Sequence, residues 1–232
     1  MTESEWLQCA EPGAMLSHLQ QTNVHRSKVG RRLLRLFACA CARRVWHLLD
    51  EERIRHGVRT SEAFADGQAS KEALSEAERG ASPLVIPARP PRRVIHGPRD
   101  PQARKQSADS AAWMTCVSRA WLAAEGGQHH AAVAASGREP PTASELAAQC
   151  DLLRDIFGNP FRPVAVDPSW LTSAVVGVAC GAYADRAFDR LPILADALQD
   201  AGCENADILD HCHSPGPHVR GCWVVDLVLG KE

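Results

Sequence analysis

Six thiol or imidazole side chains fall within twenty residues toward the end of the chain: Cys203, His211, Cys212, His213, His218 and Cys222. These are donors that zinc prefers, and a structural zinc needs four of them converging tetrahedrally. A turn built on Pro215-Gly216-Pro217 can bring Cys212 toward His218, and on a helix His218 and Cys222 share a face at the i, i+4 spacing. The candidate metal set is therefore Cys203, Cys212, His218 and Cys222, with zinc as the cofactor it would hold. No Cys-x-x-Cys knuckle accompanies it, and Cys203 lies next to Gly202 at an expected helix end. The competing reading makes the cysteines small buried hydrophobes and the histidines turn or surface residues.

Other groupings are weaker. Cys39 and Cys41 stand two apart in a helical segment, which directs them about 200° from each other, so they are not a redox pair. Adjacent His129 and His130 point about 100° apart on a helix, a poor arrangement for one metal. Asp185, Asp189, Asp196 and Asp200 could be a carboxylate set for acid–base or Mg²⁺ work. Without a partner base or a phosphate-binding glycine loop they read as caps and solvated faces. Lys28, Arg31, Arg32 and Arg35 gather on one side of a helix and form a candidate phosphate-binding stripe for nucleic acid. No aromatic residues interleave with them, and pairing with acidic neighbours is the more ordinary expectation. No Gly-x-Gly-x-x-Gly, Walker A, Gly-x-Ser-x-Gly or His-Glu-x-x-His string occurs, which weakens several enzyme classes, and no residue set defines a catalytic site.

The elements that would position these residues read as helices. Thr2 and Glu5 have capping-box spacing ahead of Trp6 and Leu7. From Lys28 to Asp50, Leu33, Leu34, Phe37, Ala40, Cys41, Val45 and Leu48 lie on one side at about 100° per residue. Further helices are expected from Glu51 toward Ala65, with Gly67 closing, and over Lys71 to Arg79. Ser82 to Ser107 mixes six prolines with five arginines and is expected to be a linker or exposed loop, not a regular helix. Asp109 is the expected cap of a helix carrying Trp113, Val117, Ala120, Trp121 and Ala124, ended by Gly126-Gly127. Thr142 and Glu145 form a second capping box for a helix through Leu146, Cys150, Leu153 and Phe157.

Asp151 to Glu232 is the most completely specified stretch. Asp167 followed by Pro168 has the grammar of a helix start, and Leu171, Ala174, Val175, Val178, Ala179 and Ala182 give that helix an apolar stripe. Asp189 with Pro192 suggests the next start, and Gly202 stands where a left-handed C′ residue is wanted. Asn205 can begin a short helix that Pro215-Gly216-Pro217 stops. His218 to Leu229 is apolar apart from Asp226, and periodicity alone leaves helix and strand open, with helix favoured on base rates. A buried Asp226 would need a partner such as Arg220 or Arg190.

Phe188-Asp189-Arg190-Leu191-Pro192-Ile193-Leu194-Ala195-Asp196-Ala197-Leu198-Gln199-Asp200-Ala201-Gly202-Cys203, with His218-Val219-Arg220-Gly221-Cys222-Trp223-Val224-Val225-Asp226-Leu227, resembles the closing signature of an uncharacterised bacterial family. Leu33 to Leu49, and Leu152 to Val164 with its Asp-Ile-Phe-Gly-Asn-Pro-Phe-Arg-Pro core, are similar to other parts of that family. The resemblance implies no particular activity. Leu194 to Gly202 is also similar to the short aspartate-and-leucine helix of a small domain found beside bacterial leucine-rich repeats, which would imply an interaction role.

The net charge of −2 argues against a general polyanion binder. Nine cysteines, an odd number, and a first stretch with Glu3, Glu5 and Glu11 but no apolar core point to reduced thiols and a cytoplasmic location. No run approaches the roughly 20 apolar residues that cross a bilayer, so no membrane partner is expected. The expected architecture is all-α, an antiparallel helical bundle or array, with an N-terminal part at 1–81, the connector at 82–107 and a C-terminal part at 108–232, the two parts open to packing as one. The first functional expectation is a non-catalytic interaction or regulatory module that binds another protein through helical faces. Zinc binding by the C-terminal Cys/His cluster and nucleic-acid binding by the arginine stripe are the alternatives.

Overall fold

The computed structural model describes residues 1–82 and 100–231. Among them are twelve α-helices and no strand, the all-α architecture expected from the helical periodicity: α1 (Glu3–Gln8), α2 (Pro12–Gln21), α3 (Lys28–Arg44), α4 (Glu52–Ala65), α5 (Lys71–Ala81), α6 (Pro101–Cys116), α7 (Ala120–Ser136), α8 (Ala143–Phe157), α9 (Ser173–Asp185), α10 (Leu191–Asp200), α11 (Ala206–His213) and α12 (Trp223–Leu229). No helix among the described residues is long and apolar enough to cross a membrane.

Two compact units emerge, one of Cys9–Cys150 and one of Asp151–Glu232 together with Met1–Gln8. Boundaries at 81 and 107 are therefore replaced by a division within α8. The reason is the alanine-rich faces of α6 and α7. Ala108, Ala111, Ala112, Ala123, Ala124 and Ala131 are wholly buried, and these helices pack on α3 and α4 to complete that core. Residues 83–99 of the expected connector lie outside the described ones. Its end is helical: Asp100 accepts from the Gln102 amide at 2.8 Å, and Pro101 occupies the first turn, where a missing N–H leaves nothing unpaired.

In the Cys9–Cys150 unit α3 is the central element, with Leu34, Phe37, Ala38 and Cys41 buried. It stops at Arg44 instead of reaching Asp50, and a 3₁₀ turn follows at Trp46–Leu48. Asp109 is inside α6, paired with Lys105 at 3.0 Å, so it caps nothing. The stretch expected as one helix from Trp113 to Ala124 breaks after Cys116, and Gly126-Gly127 do not end α7. A Cβ on Gly127 would stand 3.3 Å from Ala38 Cβ, and one on Gly126 would meet Met114 Cε at 2.3 Å. Close helix approach, not chain termination, is what Gly127 supplies, whereas Gly126 faces only the movable end of the Met114 side chain.

The Asp151–Glu232 unit has its own core, in which Val175, Ala179, Leu191, Leu194, Leu198, Ile208, Val224, Val225 and Val228 are buried with Cys203, Cys212 and Cys222. Each large aliphatic side chain so buried contributes about 1.5–3 kcal/mol. Residue by residue the helix starts differ from those expected. Asp167 caps a 3₁₀ turn at Pro168–Trp170, accepting from the Ser169 amide at 2.9 Å, and Thr172 caps α9 through the Val175 amide at 3.3 Å. Asp189 is exposed within the 3₁₀ turn Phe188–Arg190, whose last residue is already helical, so α10 has no extended residue for it to serve. Asn205 does cap α11, through the Ile208 amide at 3.1 Å, and Gly202 has φ +88° after α10. His218 to Leu229 resolves into a turn followed by helix α12, closed by Gly230 at φ +59°. Thr2 and Glu5 form both bonds of the capping box, and the wholly buried Trp6 donates Nε1–H to Gly158 O at 3.0 Å.

Candidate metal centre

Three helices and a tight turn bring four donors together. The last turns of α8 carry Asp155, the last turn of α11 carries His211, and Cys222 immediately precedes α12. Between α11 and α12 the chain reverses through Pro215-Gly216-Pro217, which places His218. Gly216 has φ +62°, and a Cβ there would lie 2.6 Å from His218 Cδ2, so only glycine lets the turn wrap this closely on the ring.

The ligand atoms of Asp155, His211, His218 and Cys222 lie within 4.8 Å of one another, the one such grouping among the described residues. Asp155 Oδ1 is 2.8 Å from His218 Nδ1 and 3.2 Å from His211 Nε2. Cys222 Sγ stands 3.2 Å from the same His211 Nε2, and the two imidazole centroids are 4.8 Å apart. Side-chain exposure is 3% for Asp155, 7% for His218 and 17% for His211, and Cys222 is wholly buried.

Outer contacts hold this arrangement. Asp155 Oδ2 accepts from the Val219 amide at 2.9 Å, and His218 Nε2 lies 3.2 Å from Ser214 O. At 2.8 Å His218 Nδ1–H donates to Asp155 Oδ1, and with Nε2–H kept on the Ser214 carbonyl, loss of the Nδ1 proton would turn a lone pair toward a cation, the tautomer common around metal-binding histidines. His211 packs against Trp223, centroids 5.2 Å apart. Burial acts to lower the His218 pKa, but the Asp155 carboxylate overrides it and the net shift is upward. Burial, reinforced by the negative Asp155, pushes the Cys222 thiol well above its ordinary value. A divalent cation reverses that logic, because a coordinating thiol is deprotonated outright.

Two chemistries compete for such residues. In a Cys–His–Asp triad the thiol and the carboxylate take opposite imidazole nitrogens, so that the base passes a proton along a line. Here both approach Nε2 of His211, and the thiol is desolvated. Convergence on one point is the geometry of ligands around a cation. A tetrahedral zinc with bonds of about 2.0–2.3 Å has donors roughly 3.3–3.7 Å apart, a spacing this cluster approaches.

Half of the set expected from sequence is in this cluster. His218 and Cys222 belong to it; Cys203 and Cys212 do not, being wholly buried in the hydrophobic core, with burial pushing the Cys212 thiol up to about 12. Asp155 and His211 take their places. His211 is one of the six thiol and imidazole side chains clustered in sequence, whereas Asp155 lies far from them along the chain. Its signal was a carboxylate at a helical position between Leu152 and Ile156, both buried, where an unpaired charge has no reason to be.

The arginine stripe does not form one face. Arg35 is 3% exposed and donates to the carbonyls of Thr115, Val117 and Ser118, with its guanidinium 5.2 Å from the Phe64 centroid. Arg32 pairs with Asp66 at 3.0 Å, and Arg31 donates to Arg26 O. Lys28 is exposed. Asp185, Asp189, Asp196 and Asp200 are all at the surface, and Cys39 and Cys41 are buried. Asp226 is 7% exposed, and Arg220 lies over the Tyr183 ring at 4.6 Å. No protein-family model, curated protein or solved structure matches the chain. The class its own residues define is an all-α protein with an Asp/His/His/Cys donor cluster.

Proposed function

We propose that the protein binds one divalent transition metal, zinc by the chemistry of its donors, through Asp155, His211, His218 and Cys222. The observation that supports this reading is the convergence of four ligand atoms within 4.8 Å. One thiolate, two imidazoles and a carboxylate are all ligands that zinc accepts, and their combined charge of −2 neutralises the ion. In this role the metal ties the end of α8 to α11, the Pro215–Pro217 turn and the start of α12. Metal analysis of protein purified without an affinity tag tests it. The expected result is one zinc per chain, lost in His211→Ala and Cys222→Ser and retained in Cys203→Ser and Cys212→Ser. Metal-free protein that takes up no added zinc would end this reading.

A role in binding another protein stands beside it as a second reading. It draws support from Leu7, Phe161 and Ile193, large hydrophobic side chains that are 48%, 37% and 55% exposed in the same unit. Substituting the three by serine would abolish association with such a partner while leaving the metal content unchanged.

A further inference from the structure

A cavity of about 240 Å³ opens beside the donor cluster. Asp155, His211 and His218 line it, and Cys222 does not. A cation held by the four residues would therefore have the buried thiolate behind it and the cavity in front. At about 30 Å³ per water, this space takes several solvent molecules or one small ligand.

The cavity wall carries Arg154 together with Asp151, whose Oδ1 accepts from the Arg154 guanidinium at 2.7 Å. Asp151 is half exposed, so water screens its charge more than that of the Arg154 side chain, which is 23% exposed. Ser214 adds a hydroxyl at the rim.

We infer that the metal at Asp155, His211, His218 and Cys222 keeps one position open to this cavity and binds a small monodentate anion there, azide-sized or a short carboxylate. The inference rests on the metal-binding reading above. It makes the centre an exchange or reaction site with an accessible coordination position, which a purely structural zinc lacks.

Cobalt(II) in place of zinc makes both layers visible. Cobalt bound by these four residues gives sulfur-to-metal charge transfer in the near ultraviolet and intense visible bands. Titration with sodium azide is then expected to shift the visible bands and lower their intensity, saturably, as coordination rises from four to five. In Arg154→Gln the cobalt bands should remain and several-fold more azide should be needed. Cobalt bands that azide leaves unchanged would overturn the open position while leaving the metal site standing. An azide response with the same affinity in Arg154→Gln would overturn the cavity as the route of entry. Absence of any cobalt spectrum would remove the metal-binding reading itself, and this inference with it.

Discussion

Arg35 brings a full charge into the Cys9–Cys150 unit, and its guanidinium hydrogen bonds go to the carbonyls of Thr115, Val117 and Ser118. These oxygens are at the C-terminal end of α6 and the break after it, where a helix leaves acceptors unpaired and its dipole is negative. Burial lowers the Arg35 pKa from its usual value, but a guanidinium stays charged, so the carbonyls and the Phe64 face are its compensation. Truncation to alanine empties the volume of a buried side chain and takes a donor from each of these carbonyls, of which Thr115 O keeps Ser61 Oγ. Arg35→Ala is therefore expected to cost about 3 kcal/mol or more, read from urea denaturation. The thiols allow a second test at this scale. Cys180 is exposed and Cys9 half-buried, while the other seven are buried. Burial pushes Cys39 up to about 12 and Cys116 up to about 11. Since the thiolate is the nucleophile, alkylation of the native protein at pH 8 should label Cys180 and Cys9 alone. Raising the pH to 10 should leave Cys39 and Cys116 unmodified until the chain unfolds. Rapid labelling of Cys39 in folded protein would contradict the packing of α3.

Helix ends carry the predictions at the scale of elements. Thr172 accepts the Val175 amide at the start of α9, while Asp189 caps nothing and is exposed. Thr172→Ala is expected to lose about 1 kcal/mol, and Asp189→Ala to stay within about 0.5 kcal/mol of the parent. Equal losses in the two would mean that α10 starts where sequence grammar put it. The α11–α12 connection is more sensitive because its turn positions a donor. Gly216→Ala would force a left-handed backbone on alanine and press a Cβ against His218. A tenfold or greater loss in zinc affinity is expected, measured by competition with a chromophoric chelator, because the ring is displaced from the outer contacts that orient it.

Taken as a whole, the molecule divides into two compact units, and one of them includes the four residues proposed to hold a metal. Chelation should therefore act locally. Stabilisation by a bound metal reaches about 4 kcal/mol at a thousandfold excess over its dissociation constant, and that is what a chelator removes. Hydrogen exchange after chelation is expected to speed up in α11 and α12 and to stay unchanged in α3, α6 and α7. Uniform acceleration across both units would contradict the assignment. If the proposed metal is bound, thermal unfolding should likewise show more than one transition after chelation, because the two units would then differ in stability.

Residues that act through their neighbours in sequence could be read before any fold was known. The apolar stripes of α3 and α9, the capping box at Thr2 and Glu5, the Asn205 cap and the turn at Pro215–Pro217 follow from local spacing and backbone chemistry. These determine an all-α chain and a closing segment with thiols and imidazoles near one another. Which of those donors face each other was decided by packing. Cys212 lies on the core side of α11 and Cys203 in the connection between α10 and α11, and both stay among aliphatic groups, whereas α8 delivers Asp155 from a distant part of the chain. The same holds for the glycines of α7, which look like terminators until Ala38 and Met114 are against them, and for Arg35, whose partners appear only once α6 breaks beside it. Local propensity is a property of a few consecutive residues. Convergence of four donors depends on how helices remote in sequence bury their apolar faces, and that is settled only when the unit folds.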